Sequence, residues 1–349
     1  MKIVLLILSI IFIISSIAPL SKREEWWIRG FDFPFVQFTV LGAICIIGWL
    51  FVYQFEGVGE GFIVGLLSAF FIYRITVIVP YTSLYRKALP KSEKDTTRLK
   101  ILSANVLMSN DNYEGFLKVV KDVDADLLLL VEVDQKWHAS IRTALDELYP
   151  NSVAHPLNNT YGMILYAKCP LKESSIEFLV EEDVPSIHTK IELSSGELIQ
   201  FYGLHPRPPA PGENDESTQR DAELVVIGRK VKESEIPVIV TGDMNDVAWS
   251  HTTRLFMRLS GLLDPRVGRG FFNTFHAQKY LLRWPLDHVF LSHHFRVAGM
   301  KRLNNFNSDH FPIFIEVTLN PSTHAIVSKE YADKEDKEEA SDKLDKVDI

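Results

Sequence analysis

Residues 240–246 read Val240-Thr241-Gly242-Asp243-Met244-Asn245-Asp246, and they directly follow the apolar run Ile236-Pro237-Val238-Ile239. A short apolar run that ends in polar residues predicts a buried strand with chemical groups at one rim of a sheet. Side chains in an extended chain repeat their direction every two residues, so Asp243 and Asn245 are predicted to point the same way. The carboxylate can act on a proton or a metal ion, and the carboxamide can donate a hydrogen bond to an anion.

Polar residues also lie at the ends of other short apolar runs. They are Asn105, Glu132, His205, Asp287 and the pair Asp309-His310. Each has an ordinary explanation when it is taken alone, as a solvated strand end, a turn former or a loop residue. Together they supply hard oxygen ligands, hydrogen-bond donors for an anion and acid–base groups. This combination is suited to metal-assisted attack on phosphorus.

From residue 99 onward, short apolar runs alternate with helix-like segments. Strands are predicted at 99–105, 126–132, 161–167, 187–193, 198–204, 236–241, 286–291 and 312–318, and helices at 113–124, 135–148, 216–234 and 251–260. This alternation predicts a two-layered α/β sandwich. Residues 321–349 carry 5 Lys/Arg against 9 Asp/Glu and few apolar residues, which predicts a charged, disordered tail.

Three apolar stretches fill the first quarter of the chain. Residues 3–20 and 33–55 contain no charged side chain, and residues 61–85 contain only Arg74. Because about 20 apolar residues of helix cross a bilayer, transmembrane helices are predicted at roughly 3–20, 35–54 and 61–81. Residues 1–85 then form a membrane domain, joined by the linker 86–98 to a domain at 99–320. A cleaved signal peptide is the alternative for the first stretch, and Arg74 is expected to extend its charge to the headgroups.

The charge balance indicates which kinds of partner the chain can bind. The 349 residues carry 37 Lys/Arg against 45 Asp/Glu, and residues 101–320 carry 21 against 29, a net charge of −8. A nonspecific nucleic-acid binder shows a basic face, so nucleic acid is not the favoured partner of this region. The two cysteines, Cys45 and Cys169, provide neither a disulfide framework nor a zinc motif.

Residues 99–320 resemble the endonuclease/exonuclease/phosphatase superfamily, which has the deoxyribonuclease-I-like fold. The resemblance rests on Asn105, Glu132, His205, Gly242-Asp243-Met244-Asn245, Asn273-Thr274-Phe275, Asp287 and Ser308-Asp309-His310. It implies an α/β fold, a four-layered α/β/β/α sandwich of two mixed sheets flanked by helices. It also implies a metal-dependent hydrolase of phosphoester bonds.

The resemblance also implies the metal site and the groups that act at the phosphate. Glu132 is the expected principal ligand of Mg²⁺, with Asn105 and Asp309 beside it, and Mn²⁺ is the alternative cation. Asp243 is expected to orient or deprotonate the attacking water, and Asn245 is expected to donate to a phosphate oxygen.

Two histidines are expected to bracket the phosphate, because His205 and His310 can stabilise charge and protonate a leaving group. Asp287 is expected to hold the tautomer of His310. The sequence identifies no acidic partner for His205, and His288 stands where a tyrosine is common. Arg207 either contacts a second phosphate or faces solvent.

These observations favour a membrane-anchored, Mg²⁺-dependent phosphohydrolase that acts on phosphate ester or pyrophosphate bonds, with a phosphorylated lipid of the bilayer within reach. The alternatives are a membrane-anchored metal-dependent endonuclease or exonuclease, and a non-catalytic membrane-tethered binding module. The positive-inside rule favours a cytoplasmic domain, since Lys22, Arg23 and Arg29 lie on its side. Resemblance to membrane-tethered bacterial members, some implicated in undecaprenyl-pyrophosphate dephosphorylation, favours an extracytoplasmic domain at the bacterial plasma membrane.

Overall fold

A computed structural model describes residues 1–52, 58–92, 98–320 and 331–348. Its N-terminal part holds three long apolar helices and one short one: α1 (Lys2–Ile17), α2 (Trp26–Arg29), α3 (Phe35–Val52) and α4 (Val58–Ile78). The three long helices, of which α1 and α4 are each extended by one further turn, are long and apolar enough to cross a membrane. The prediction of three such helices is therefore confirmed, while residues 93–97 of the predicted linker lie outside the described residues.

The prediction for Arg74 was wrong, because its side chain is fully buried among the apolar helices. The guanidinium donates hydrogen bonds to Ser15 O at 3.0 Å and Phe35 O at 2.7 Å. It also lies 3.8 Å from the centroid of the Phe35 ring. Carbonyl groups at the ends of α1 and α3 thus satisfy the charge inside the protein, so it does not need to extend to the headgroups.

The remaining elements follow in chain order. The strands are β1 (Arg98–Asn105), β2 (Leu127–Val131), β3 (Asn151–His155), β4 (Met163–Ala167), β5 (Leu171–Glu177), β6 (Ser186–Glu192), β7 (Leu198–Leu204), β8 (Val238–Asp243), β9 (Asp287–Leu291), β10 (Phe295–Arg302) and β11 (Ile313–Leu319). The helices are α5 (Tyr113–Val123), α6 (Gln135–Asp146), α7 (Thr218–Glu233), α8 (His251–Ser260) and α9 (Lys334–Asp345).

The strands form two mixed sheets, ordered β10-β11-β1-β2-β4-β3 and β5-β6-β7-β8-β9. Their facing sides share one core, which includes Leu129, Ile239 and Val289. Trp137 of α6 packs on the outer side of the first sheet, and Phe256 of α8 packs on that of the second. This is the four-layered α/β/β/α sandwich. Alternation alone predicted two layers because it shows which segments are strands but not how many sheets they form.

Three strands were not predicted from the sequence, and all three lie at sheet edges. β3 and β10 close the six-stranded sheet, and β5 closes one side of the five-stranded sheet. Their residues are mostly half-buried or exposed. An edge strand carries polar and charged side chains that limit further pairing, so it lacks the apolar run that marks a central strand.

The tail is not disordered throughout, which corrects the prediction from composition. α9 begins with a capping box at Asp333 and buries Ala340 and Leu344 against α7. Lys343 Nζ donates to Glu24 Oε1 at 2.9 Å and to Asp221 Oδ2 at 2.8 Å. The few apolar residues lie on one helical face, so a low apolar content is enough to dock the helix. Residues 321–330 lie outside the described residues.

Replacing Lys343 with alanine is expected to detach α9, because the ammonium group that bridges the buried carboxylates of Glu24 and Asp221 would be lost. Breaking such a pair costs about 3–5 kcal/mol, so hydrogen exchange of amides 334–345 should accelerate at least a hundredfold. Lys346 also bonds to Glu24, but its side chain is half exposed, and Lys346→Ala should cost less than about 1 kcal/mol. Equal exchange rates in the two variants would contradict the role of Lys343 in docking α9.

The apolar helices pack directly on the sandwich. Phe35 of α3 and Tyr81 after α4 share a cluster with Ala248, Trp249 and Leu286. The Tyr81 hydroxyl donates to Ala248 O at 2.6 Å, and Trp249 Nε1 donates to the backbone oxygen of residue 32 at 2.8 Å. The contact therefore involves residues that adjoin the end of the stretch 240–246 and the start of β9.

Candidate active site

Strand register brings the polar strand ends to one edge of the sandwich. β7 runs parallel to β8 with Leu204 opposite Gly242, so His205 emerges beside Asp243. β9 runs antiparallel to β8 with Asp287 opposite Asp243. In the other sheet, β1 and β2 are parallel and place Glu132 next to Asn105. Parallel strands end at the same edge, which is why residues far apart in sequence meet here.

Gly242 is the residue that allows β7 and β8 to approach at this edge. Its φ is 142°, which is accessible to glycine alone. A Cβ at this position would lie 1.9 Å from the Leu204 carbonyl oxygen. Any side chain would therefore separate His205 from Asp243.

His310 lies between two buried carboxylates. Its Nδ1 is 2.8 Å from Asp287 Oδ2, and its Nε2 is 3.4 Å from Asp243 Oδ2. The Phe275 ring packs on the imidazole with centroids 4.9 Å apart. Burial alone lowers the pKa of His310, but the carboxylates of Asp287 and Asp243 outweigh it and raise the pKa to about 10. His310 is therefore an imidazolium at neutral pH.

The same charges act on Asp243 in reverse. Burial raises the pKa of Asp243, but the nearby His310 and His205 outweigh burial, and the net shift is downward. Asp243 consequently remains ionised. Its Oδ1 accepts a hydrogen bond from Asn245 N at 3.0 Å.

His205 has the opposite protonation state. Burial lowers its pKa to about 4, against the attraction of Asp243, so the ring is neutral. Its Nε2 lies 4.0 Å from Asp243 Oδ2, and its Nδ1 has no hydrogen-bond partner among the described residues. Asp243 is thus the acidic neighbour that the sequence did not identify.

An aromatic ring also packs next to the imidazole of His205. The Tyr161 ring lies 5.2 Å from the His205 ring, and the Arg207 guanidinium lies 4.6 Å from Tyr161. Arg207 also forms ion pairs with Glu181 and Asp183. Arg207 therefore neither stands free in solvent nor offers an uncompensated charge to a second phosphate.

Asn105 joins two of the carboxylates. Its Nδ2 donates to Glu132 Oε1 at 2.7 Å and to Asp243 Oδ2 at 3.1 Å, while its Oδ1 accepts from Leu107 N. In this arrangement the amide nitrogen, not the predicted ligand oxygen, faces the carboxylates. Burial raises the pKa of Glu132 to about 7, although the hydrogen bond from Asn105 lowers it.

Asp309 reaches the same cluster from the segment before β11. Its Oδ1 is buried and has no hydrogen-bond partner among the described residues. Ser308 Oγ donates to Asn105 O at 2.8 Å, which fixes this segment against β1. Asp309 is electrostatically coupled both to Glu132 and to His310.

The donor set fits a hard divalent cation. Four carboxylates, from Glu132, Asp243, Asp287 and Asp309, surround one imidazolium. This excess of negative oxygen ligands and the unpaired Asp309 Oδ1 are features that Mg²⁺ or Mn²⁺ satisfies. Ligand atoms of Asp243, Asp287 and His310 also lie within 4.8 Å of one another, but the His310 Nδ1 is already bonded to Asp287.

Asn245 lies at the rim of the cluster with a φ of 49°. Its Nδ2 donates to Pro206 O at 3.0 Å, and its own carbonyl accepts from Arg220 Nη1 at 2.9 Å. His288 points away from the cluster and contacts Arg266. Arg220 and Tyr161 were missed in the sequence, since a helical arginine and an aromatic before a strand give no signal of a site.

The family model for the Endonuclease/Exonuclease/phosphatase family matches residues 102–310. The chain belongs to this family. Members of the endonuclease/exonuclease/phosphatase family are metal-dependent phosphoester hydrolases. The match runs from within β1 to His310, and it leaves β11 and the apolar helices outside. A comparison with curated proteins by sequence finds no match.

Solved structures share the family fold. D. rerio TDP2 complexed with a single-strand DNA product is 18% identical, with a TM-score of 0.53 over 64% of this chain and 99% of that one. A family protein from Bacteroides thetaiotaomicron is 18% identical, with a TM-score of 0.53 over 68% and 100%. The human nocturnin catalytic domain with bound sulfate is 18% identical, with a TM-score of 0.52 over 64% and 95%.

Proposed function

We propose that this chain is a membrane-anchored, Mg²⁺-dependent phosphohydrolase of the bacterial plasma membrane. It cleaves phosphate ester or pyrophosphate bonds of a lipid substrate on the outer face. The observation that carries the proposal is the contact of Tyr81 and Phe35 with residues 247–249, which directly follow the polar stretch 240–246. The apolar helices thereby hold the acid, amide and imidazole cluster close to the bilayer that they are long enough to cross.

Glu132 and Asp309 are the residues that would hold the cation, and Asn105 orients Glu132 through its amide. Bound Mg²⁺ or Mn²⁺ polarises a phosphoryl oxygen and offsets the negative charge that grows on it. The unpaired Asp309 Oδ1 supports this assignment. The protonated ring of His310 is unsuited to be a ligand, because a metal requires a free nitrogen lone pair.

Asp243 positions the attacking water. Its carboxylate is ionised, and Asn105 and Asn245 fix both of its oxygens. A fixed carboxylate orients a water and accepts its proton as the bond to phosphorus forms. One N–H of the Asn245 amide is bonded to Pro206 O, and the other, which has no acceptor among the described residues, can donate to a phosphate oxygen.

The two histidines divide the proton chemistry between them. His310 carries a proton that it can give to the leaving oxygen, and Asp287 keeps its ring oriented at Nδ1. His205 is neutral, so it can donate a hydrogen bond to the phosphate without adding charge. The environments of His310 and His205 shift their pKa values in opposite directions. Such a difference is typical of residues that act separately as acid and base.

The proposal is tested with the full chain in liposomes that contain a polyprenyl pyrophosphate or a phospholipid, with supercoiled plasmid as a third substrate. We expect phosphate release from the lipid that requires Mg²⁺ and stops with EDTA. Asp243→Asn should abolish release, whereas Asp122→Asn, an exposed residue of α5, should not. Plasmid nicking without lipid turnover would support the nuclease instead, and no turnover of any substrate would support the binding module. A reporter fused after Lys100 tests the side of the membrane.

A further inference from the structure

The segment 277–284, between Phe275 and β9, exposes a run of large apolar side chains. The relative exposure is 78% for Tyr280, 75% for Leu281 and 44% for Leu282. The other exposed large apolar residues of 98–320 are Leu148 and Phe178, which stand alone at 40% and 45%. Single exposed apolar residues are ordinary on a protein surface, whereas a contiguous run marks a contact surface.

This segment is attached to the beginning of a membrane helix. Gln37 Nε2, in the first turn of α3, donates to Leu281 O at 2.8 Å. The Phe33 ring, just before α3, meets the Trp284 ring edge-to-face at 5.5 Å. The apolar run therefore lies beside the first turn of α3, a helix that is long and apolar enough to cross a bilayer.

Positive charge surrounds the apolar run. The Arg283 guanidinium lies 5.0 Å from the Tyr280 ring, and the Arg302 guanidinium lies 4.3 Å from the Phe311 ring. Lys279, Arg283 and Arg302 form no ion pair with a described residue. Within the described part of the chain, the two guanidinium groups donate only to backbone carbonyls. Cations without a described carboxylate partner, placed around exposed aromatic and aliphatic side chains, suit the boundary between lipid headgroups and acyl chains, above all in an anionic bilayer.

The same segment borders the candidate active site. Ala277 N donates to Asp309 O at 2.7 Å, and Gln278 Nε2 donates to Ser308 O at 2.7 Å. Phe275, which packs on His310, lies two residues before the start of the segment. The segment therefore contacts the backbone of Ser308 and Asp309. A substrate that moves along it from the bilayer would reach the carboxylate cluster.

We infer that segment 277–284 inserts Tyr280, Leu281 and Leu282 into the headgroup–acyl boundary of an anionic bilayer. The substrate is then a phosphorylated amphiphile that reaches the site from this boundary while its chain remains in the bilayer. The inference deepens the proposed function and rests on it for the substrate. The insertion itself follows from the contact with α3 and from the surface chemistry of the segment.

Insertion is tested without any turnover. The full chain with Leu281→Cys and Cys169→Ser is labelled with the fluorophore NBD and placed in liposomes of phosphatidylglycerol and phosphatidylcholine that contain spin-labelled lipid. Cys45 is buried and resists labelling. We expect at least threefold stronger quenching at position 281 than in a matched Leu148→Cys protein. Equal quenching at the two positions would overturn the insertion, whatever the enzyme hydrolyses.

Substrate entry is tested by the triple variant Tyr280→Ser, Leu281→Ser and Leu282→Ser. The ratio of turnover of a vesicle-borne lipid pyrophosphate to turnover of soluble bis(p-nitrophenyl) phosphate should fall at least tenfold. The pair Leu148→Ser and Phe178→Ser should leave this ratio within twofold of wild type. An unchanged ratio in the triple variant would overturn entry from the boundary. If the wild-type protein turned over neither substrate, the proposed function would be refuted, and the quenching result would remain valid.

Discussion

Replacing His310 with glutamine is expected to lower kcat for phosphate release by about a thousandfold, which is within the range for loss of a positioned acid. Glutamine keeps much of the side-chain volume but carries no proton that it can give to the leaving oxygen. Asp243 and Asp287 would also face each other without the cation that now lies between them. Initial rates of the purified full chain in liposomes at saturating Mg²⁺ measure the effect.

His138→Gln is the matched control, since His138 lies on α6 and takes no part in the cluster. Its kcat should remain within twofold of wild type. Far-ultraviolet circular dichroism separates misfolding from lost chemistry in both variants. A His310→Gln protein that is folded and retains more than a tenth of wild-type kcat would contradict the assigned role.

Replacing Glu132 with glutamine is expected to change cation binding and stability in opposite directions. Mn²⁺ affinity should fall about a hundredfold, because a hard cation loses its principal carboxylate ligand. Burial raises the pKa of Glu132 to about 7 in the folded chain, above its ordinary value of 4.5, so at pH 8 its charge destabilises the cation-free fold. The cation-free variant should therefore melt at a higher temperature than wild type, and added Mg²⁺ should raise its Tm less.

Electron paramagnetic resonance of free Mn²⁺ measures the affinity, and melting curves with EDTA or Mg²⁺ measure the stability. Glu147→Gln, an exposed change after α6, should alter neither quantity. Wild-type Mn²⁺ affinity in the Glu132 variant would contradict its role as a ligand and move the cation site to Asp243 and Asp287, whose ligand atoms also lie close together.

The positions of the candidate site residues could be predicted because they depend on strand periodicity. His205, Asp243 and Asp287 each border an apolar strand, and the parallel pairing of β7 and β8 brings such ends to one edge. The protonation states could not be predicted. Whether an imidazole is charged depends on its neighbours in three dimensions, and only the fold shows that His310 has two carboxylates and His205 one at a longer distance.

The central elements of the sandwich could also be predicted, whereas its margins could not. β2 is a run of five buried residues, but β3, β5 and β10 have polar faces that resemble loops in sequence. Composition also misjudged α9, because Ala340 and Leu344 suffice to dock a helix that is otherwise charged. For Arg74, the carbonyl groups that accept its hydrogen bonds belong to other helices, and no local pattern reveals them.

The edge-to-face contact of Tyr81 with Trp249, at 6.0 Å, has a kinetic consequence. An enzyme that is tethered by a long flexible linker moves through a volume of solution, and its rate depends on the bulk concentration of substrate. In the proposed membrane-anchored enzyme, a catalytic edge that packs on the helix ends would keep a constant height above the lipid plane and would sample a layer, not a volume. Its rate should then follow the mole fraction of substrate among the lipids, and diluting vesicles at a constant lipid ratio should leave turnover per enzyme unchanged.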